Sequence, residues 1–357
     1  FGLNEFSIRL TNALVGSGAI LTTYFLVLKV SKNNQNLALL SAFLLSISPW
    51  HIMLSRGAFE ANLTTLLLPL TLLFYKKGHQ NPKFYLLSSL FFGLNLFSYH
   101  SARFVAPLIL GVIVVFSRKQ VKVTPHTKFA IMIAILALTL TGYSFVGSGT
   151  GRLGSSSITS ISGNIFNDRL PAILSGESEV IAKLFNNKAI FLKERFFDNY
   201  LQYFSLRFYF TQGPAEGTYG MLPGRGVLYT FELITLAGLV IGMAREKIKD
   251  TNWLLVWLLL APIPAALSVG PGFAANRAAI MMPAIQIASA TGAIFLFDAI
   301  KPRLNTLKKQ KLFYALLIFV VLSQFTFFVE DYWYQQPGRQ SRAMLEGREA
   351  ALAYIQA

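Results

Sequence analysis

Apolar residues occur in ten runs along the chain, and short polar stretches separate them. A helix that crosses the hydrocarbon core of a bilayer needs about 20 predominantly apolar residues, so the shorter runs require a locally thin bilayer or flanking aromatic residues. The pattern predicts an all-α fold, a polytopic transmembrane helical bundle of about ten spans with one large exterior loop. The runs cover approximately residues 8–28, 36–49, 61–75, 84–99, 104–117, 129–146, 226–243, 253–269, 277–297 and 312–329.

The composition supports a membrane protein. Hydrophobic residues make up 54% of the 357 positions and charged residues 13%, about half the charged share of a soluble domain. The net charge of +16 is spread over short basic clusters between apolar runs, so we expect it to reflect membrane topology and not nucleic-acid binding. The absence of cysteine excludes disulfides, thiolate zinc sites and cysteine nucleophiles.

The charges of the loops predict the orientation in the membrane. Alternate loops, beginning with Lys29 and Lys32, together carry 17 basic and three acidic residues, whereas the rest of the chain carries 15 basic and 13 acidic residues. Because loops rich in Lys and Arg stay on the cytoplasmic side, the first set is expected there. We therefore predict a multi-pass protein of the cell membrane in which the other loops are exterior.

Four regions follow from this map. A Gly/Ser-rich stretch opens the long exterior loop at 147–157, and helix-like spacing from Glu177 to Phe210 predicts one amphipathic helix in the membrane interface. A further helix-like pattern covers residues 343–355. The regions are 1–146, N-terminal transmembrane segments with about six spans; 147–225, the exterior loop; 226–329, C-terminal transmembrane segments with about four spans; and 330–357, the start of an exterior C-terminal region.

The first candidate site is the stretch from Ser48 to Asn62. A helix through it would bring Arg56 within pairing distance of Glu60, with His51 nearby on the same projection. A plain i,i+4 salt bridge at the membrane interface explains this pair equally well.

The second candidate site is the short exterior turn Tyr99-His100-Ser101-Ala102-Arg103. The guanidinium of Arg103 offers a planar fork of donors suited to phosphate, and His100 beside it can form a hydrogen bond or carry a proton. Alternatively, Arg103 extends to lipid phosphates without a catalytic role.

The third candidate site is Asn276-Arg277, at the end of an exterior turn that leads into a span. An arginine at the start of a helix is opposed by the helix dipole, so we expect Arg277 to have an anionic partner. Arg225 and Arg9 are interpreted as structural. The four histidines are divided between the two membrane faces, so no multi-histidine metal cluster is expected.

In order and spacing, four segments resemble the polytopic glycosyltransferases of the GT-C fold. The nearest set is the bacterial branch of family 39, the protein O-mannosyltransferase and aminoarabinose-transferase-like enzymes. The segments are residues 1–10, Ser48-Pro49-Trp50-His51 through Ser55-Arg56, the turn Tyr99–Arg103, and Ala275-Asn276-Arg277-Ala278.

The resemblance implies inverting transfer of a sugar from a polyprenyl-phosphate carrier to a lipid, glycan or protein acceptor at the exterior face. It implies no certain cofactor, and a divalent cation stays open. In such enzymes the catalytic base lies in the first exterior loop, so the sequence is interpreted as a fragment that lacks the N-terminal span and this loop, with the base upstream of Phe1. Glu60 is then an acceptor-positioning candidate. The expected substrate-binding residues are Arg103 on the donor phosphate, supported by Arg56, Arg277, His100, His51, Tyr99 and Asn276.

Two other functions remain open. A transporter or flippase of lipid-linked sugars would also use many spans with kinking prolines, although it should show two related halves with ionisable residues near the midplane. A ligase or polymerase of surface polysaccharide would share the exterior site and the large loop.

Overall fold

The computed structural model describes residues 5–144, 157–158, 164–214, 222, 224–248, 251–269 and 274–340. Within these ranges the chain forms sixteen α-helices and no β-strand, which confirms the all-α prediction. The Gly/Ser-rich entry to the long loop, up to residue 156, and the helix expected over 343–355 lie outside the described residues.

The N-terminal helices precede the long loop. They are α1 (Glu5–Val30), α2 (Gln35–Ile47), α3 (Pro49–Arg56), α4 (Ala61–Gly78), α5 (Phe84–Ser98), α6 (His100–Ser117) and α7 (Pro125–Ser144). The helices that follow are α8 (Asn164–Leu174), α9 (Glu179–Phe185), α10 (Lys188–Gln202), α11 (Phe231–Ala244), α12 (Asn252–Leu260), α13 (Ile263–Ala266), α14 (Ala284–Ile300), α15 (Leu307–Glu330) and α16 (Gln336–Gln340).

A helix or a helix pair lies in each of the ten apolar runs, although α11 and α14 begin several residues after the starts of their runs. Over the described ranges, α1, α6, α7, α14 and α15 are long and apolar enough to span a membrane, and the bent pair α2–α3 adds a sixth candidate. Three shorter apolar elements, α5, α11 and the pair α12–α13, span only if the bilayer thins or flanking residues extend them.

Helix packing defines two ends of the bundle. α4 packs between α1 and α5, while α14 packs against both α2 and α11 and so joins the N-terminal helices to the later ones. Lys29 donates a hydrogen bond to the Gln80 side chain (2.5 Å), so the first two basic loops share one end, here called the basic end. Asn12, near the start of α1, bonds to Asn62 at the start of α4, which marks the opposite end.

A break at Ser48–Pro49 bends α2 against α3 by 58°. Proline has no amide hydrogen, so the helix loses a backbone bond there. Later segments supply donors at the break: the Tyr229 hydroxyl donates to the Ile47 carbonyl (2.7 Å), and Gln286 Nε2 donates to the Ser48 hydroxyl (3.2 Å). The kink is therefore stabilised from the C-terminal half of the chain.

The single amphipathic helix expected from Glu177 to Phe210 is wrong. The chain forms the separate helices α9 and α10 and then a π-helical turn, Arg207–Thr211. The helices separate because Asn187 starts a new one, its Oδ1 accepting from the amides of Ala189 and Ile190. Phe208 in the turn is fully buried and packs edge-on against Trp50 (5.5 Å between ring centroids), so this aromatic belongs to the protein core.

Candidate functional site

At the opposite end, polar side chains meet where α1, α3 and α4 touch. Asn12 donates to two backbone carbonyls at the end of α3, and Asn62 donates to Asn12 Oδ1 (2.9 Å). The His51 side chain, which is 2% exposed, lies with Nε2 3.5 Å from the Ser55 hydroxyl. Buried polar groups are retained at low cost only when they bond to one another, so this cluster fixes the position of α3.

The expected pairing of Arg56 with Glu60 is wrong. α3 ends at Arg56 and α4 begins only at Ala61, so no helix carries both residues, and they form no ion pair. The guanidinium of Arg56 instead lies over the rings of Tyr332 (4.9 Å) and Trp333 (5.1 Å). Glu60 is exposed at the start of α4.

The turn between α5 and α6 presents the second candidate set. Tyr99 adopts an extended backbone conformation and precedes α6, of which His100 is the exposed first residue. Arg103 is half-buried, and its Nε donates to the Leu96 carbonyl (3.2 Å) in the last turn of α5. That carbonyl is one of the acceptors a helix end leaves without an intrahelical donor. The bond holds the guanidinium against α5 through one of its three nitrogens.

Arg277 does not begin a helix, which corrects the dipole argument made from the sequence. Turns and a short 3₁₀ segment follow it, and α14 starts at Ala284. Its Nη1 donates to the Ser268 hydroxyl (2.7 Å) and to the Val269 carbonyl (2.9 Å), so its partners here are neutral protein groups. Next to it, Asn276 Oδ1 is buried without a hydrogen-bond partner within the described part of the chain.

Long-range contacts link these candidate segments. Trp50 Nε1 donates to the Ala275 carbonyl (3.1 Å), which joins the helix of His51 and Arg56 to the turn of Asn276 and Arg277. α6, which carries Arg103 in its first turn, packs against α13, the helix directly before Ser268. The arginines thus belong to elements that pack together, although each already has a protein partner.

Arg225 has the structural role expected of it. Its Nε forms a salt bridge with Asp331 (2.8 Å), and its Nη2 donates to the Phe327 carbonyl (3.2 Å). Arg339 also contacts Asp331 (3.3 Å). These bonds fasten the end of α15, and therefore the Tyr332–Trp333 pair, beside Arg56.

A second buried polar cluster, which was not predicted from the sequence, lies at the break between α2 and α3. Glu232 is 1% exposed in the first turn of α11, where its Oε1 accepts from the Tyr229 amide (3.2 Å). Gln286 is fully buried and reaches Ser48. Glu232 could have been noticed in the sequence, because it is a single carboxylate inside an apolar run and ionisable residues at membrane depth are commonly functional.

Metal-binding side chains do not cluster in the described ranges: no group of three or more His, Asp or Glu side chains there could hold an ion. A cavity of about 230 Å³ lies at the basic end and is lined by residues such as Lys32 and Trp253; none of the candidate residues predicted from the sequence lines it.

Comparison with known proteins gives one family match. Residues 1–143 match the family described as dolichyl-phosphate-mannose-protein mannosyltransferase, which supports the mannosyltransferase part of the resemblance. The matched range contains His51, Arg56, Glu60 and the turn Tyr99–Arg103, whereas Asn276 and Arg277 lie outside it. No curated protein matches the sequence.

Two crystal structures of the Archaeoglobus fulgidus oligosaccharyltransferase are similar at low identity. One, tethered to an acceptor peptide containing the NVT sequon, is 16% identical with a TM-score of 0.49; the apo form is 15% identical with a TM-score of 0.48. The alignments cover 92% of this chain and 44% and 45% of those chains, so this chain spans less than half of their length.

Proposed function

We propose that this chain is part of a membrane glycosyltransferase that moves a sugar from a polyprenyl-phosphate-linked donor to a lipid, glycan or protein acceptor, with inversion, at the exterior face. The observation that carries the proposal is the family match over residues 1–143, which includes most of the candidate residues. The exterior face corresponds to the opposite end of the bundle, because the basic loops lie at the other end.

Arg103 is the proposed donor-phosphate ligand. Its Nε is bound to the Leu96 carbonyl, so its terminal nitrogens are oriented and are left to form paired bonds with phosphate oxygens. In an inverting transfer the acceptor oxygen forms a bond to the anomeric carbon while the carbon–oxygen bond to the donor phosphate breaks. The leaving phosphate gains negative charge, which a positioned arginine stabilises.

The remaining candidates would support this group. His100 and Tyr99 flank Arg103 at the α5–α6 turn, and Arg277, with Asn276 beside it, is fixed next to α13. The Arg56 guanidinium lies over aromatic rings, and the helix that carries it, α3, is held in place by the buried polar cluster that contains His51. Glu60, which is exposed at the start of α4, is proposed to position the acceptor.

The test is sugar transfer by the full-length protein carrying Arg103→Ala, assayed with a polyprenyl-phosphate sugar in membranes. Removing one donor to a developing oxyanion costs about 100- to 1000-fold in rate, and Arg103→Lys should recover only part of it because lysine lacks the fork. Arg118→Ala, at the basic end, is the matched control and should transfer at the wild-type rate. Wild-type turnover by a correctly inserted Arg103→Ala protein would exclude the assigned role.

A further inference from the structure

The cavity at the basic end lies between the two halves of the chain. The end of α1 and the start of α2 form one wall, and the start of α12 and the middle of α14 form the other. Its volume of about 230 Å³ equals that of about eight water molecules at about 30 Å³ each. This is room for a small polar headgroup and not for a drug-sized ligand, since such ligands occupy about 300–1,000 Å³.

The lining of the cavity combines polar and apolar side chains. Ser31, Lys32 and Thr251 line it beside the loops, and Leu37, Leu254 and Ile287 line it within the helices. Trp253, in the first turn of α12, also lines the cavity, and tryptophan is enriched at the level of lipid headgroups. A free anion would meet apolar side chains on one side, whereas a phospholipid would place its glycerol and acyl chains there.

Charge points to an anionic headgroup. Lys32 is exposed, and within the described part of the chain its ammonium forms no hydrogen bond or ion pair. Among the residues that the structure describes, no acidic side chain lines the cavity. The Ser31 oxygen accepts from the Asn34 amide (3.2 Å), so its own hydroxyl hydrogen can still be donated.

The backbone at Lys32 is unusual. Its φ is 55°, in the left-handed region that lysine rarely adopts, and Asn33 follows at 71°. Strained residues of this kind occur preferentially at functional sites. The turn carries Lys32 out of the α1 helix and onto the rim of the cavity.

We propose that this cavity binds the headgroup of one anionic phospholipid from the leaflet at the basic end. The Lys32 ammonium contacts the phosphate, the Ser31 and Thr251 hydroxyls donate to its oxygens, and the acyl chains leave along α12 and α14. Basic pockets between transmembrane helices bind lipid headgroups through this chemistry. The site is separate from the proposed transferase site and does not depend on that function.

The experiment measures lipid binding to the purified full chain by native mass spectrometry, with phosphatidylglycerol, phosphatidylcholine or inorganic phosphate added. We expect one phosphatidylglycerol per chain and weaker binding of phosphatidylcholine. Lys32→Gln should weaken phosphatidylglycerol binding about fivefold, the value of one lysine near an anionic headgroup. Lys128→Gln, an exposed lysine of the same end outside the cavity, should leave it unchanged.

A second variant tests the location without changing charge. Thr291→Met enlarges a side chain on the α14 wall and should also reduce binding, because it fills part of the cavity. Equal phosphatidylglycerol affinity in wild type, Lys32→Gln and Thr291→Met would overturn the proposal. Equal binding of phosphatidylcholine would exclude recognition by charge, and saturation by inorganic phosphate alone would replace the lipid by a soluble anion.

Discussion

The crossing of α11 and α14 depends on Gly292. A β-carbon built at this position would overlap the Thr235 carbonyl oxygen and would lie 2.6 Å from the Leu239 amide nitrogen, both in the backbone of α11. Non-bonded heavy atoms prefer separations of about 3.5–4.0 Å, so relieving the overlap with the Thr235 oxygen requires the helices to move apart by roughly 2 Å. The obstacles are backbone atoms that cannot rotate away.

Gly292→Ala should therefore destabilise the protein strongly. Overpacking in a well-packed core costs about 1–3 kcal/mol, and we expect the upper end, about 3 kcal/mol, because neither obstacle can move alone. Gly111→Ala is the matched control: it lies within α6, and its added β-carbon has no heavy atom within 4 Å. Alanine is favoured over glycine in a helix by about 0.5–1 kcal/mol, so this variant should be neutral or slightly more stable.

The assay is thermal unfolding of the purified full chain in one detergent, followed by tryptophan fluorescence. Trp257 is fully buried and its Nε1 donates to the Ile280 carbonyl (2.7 Å), so its emission reports on packing around α12 and α14. We expect the Tm of Gly292→Ala to fall well below that of wild type, while Gly111→Ala stays at or above it. Equal Tm values for the two variants would refute the close approach of α11 to α14.

Three further predictions concern single side chains. Tyr229→Phe leaves the Ile47 carbonyl at the break without its donor and should lower the free energy of unfolding by about 1–3 kcal/mol in denaturant titration; an unchanged midpoint would show that the bond is not formed. Arg56→Gln removes the cation that lies over the Trp333 ring, so a protease should cleave the segment that follows α15 faster than in wild type. The control Arg118→Gln should be cleaved at the wild-type rate. The pKa of His79 is lowered from 6.5 to about 4 by desolvation and by Lys76 and Lys29. As the pH drops, the His79 imidazole is therefore protonated in the unfolded chain before it is protonated in the folded chain. The free energy of unfolding should fall between about pH 6.5 and about pH 4, and the Tm of His79→Gln should fall less over this range than the Tm of wild type.

Helix positions could be predicted from the sequence because the bilayer leaves few alternatives. Backbone polar groups in hydrocarbon must bond within their own segment, so a long apolar run becomes a helix whatever its neighbours are. The sequence prediction began α14 at Arg277, although a proline disfavours helical conformation in the residue before it, and Met282 before Pro283 is indeed extended.

The partners of the candidate arginines could not be predicted in the same way. Arg56 contacts Tyr332 and Trp333, which are far away in the chain, and only the packed fold selects them over the nearby Glu60. A short-range rule such as i,i+4 pairing requires a continuous helix, and the helix ends at Arg56. Glu232 was recognisable as unusual, but its bond to the Tyr229 amide depends on the local turn before α11.

The break between α2 and α3 also bears on biosynthesis. The groups that satisfy it are encoded far downstream: Tyr229 follows Ile47 by 182 residues, and Gln286 follows Ser48 by 238. At a translation rate of about 5–20 residues per second, roughly 10–50 s pass between the synthesis of the kink and that of its partners. During this interval α2 and α3 lack the contacts that hold their angle, so the final geometry of the Arg56 segment is set only after Gln286 has been synthesised and α14 has packed against α2.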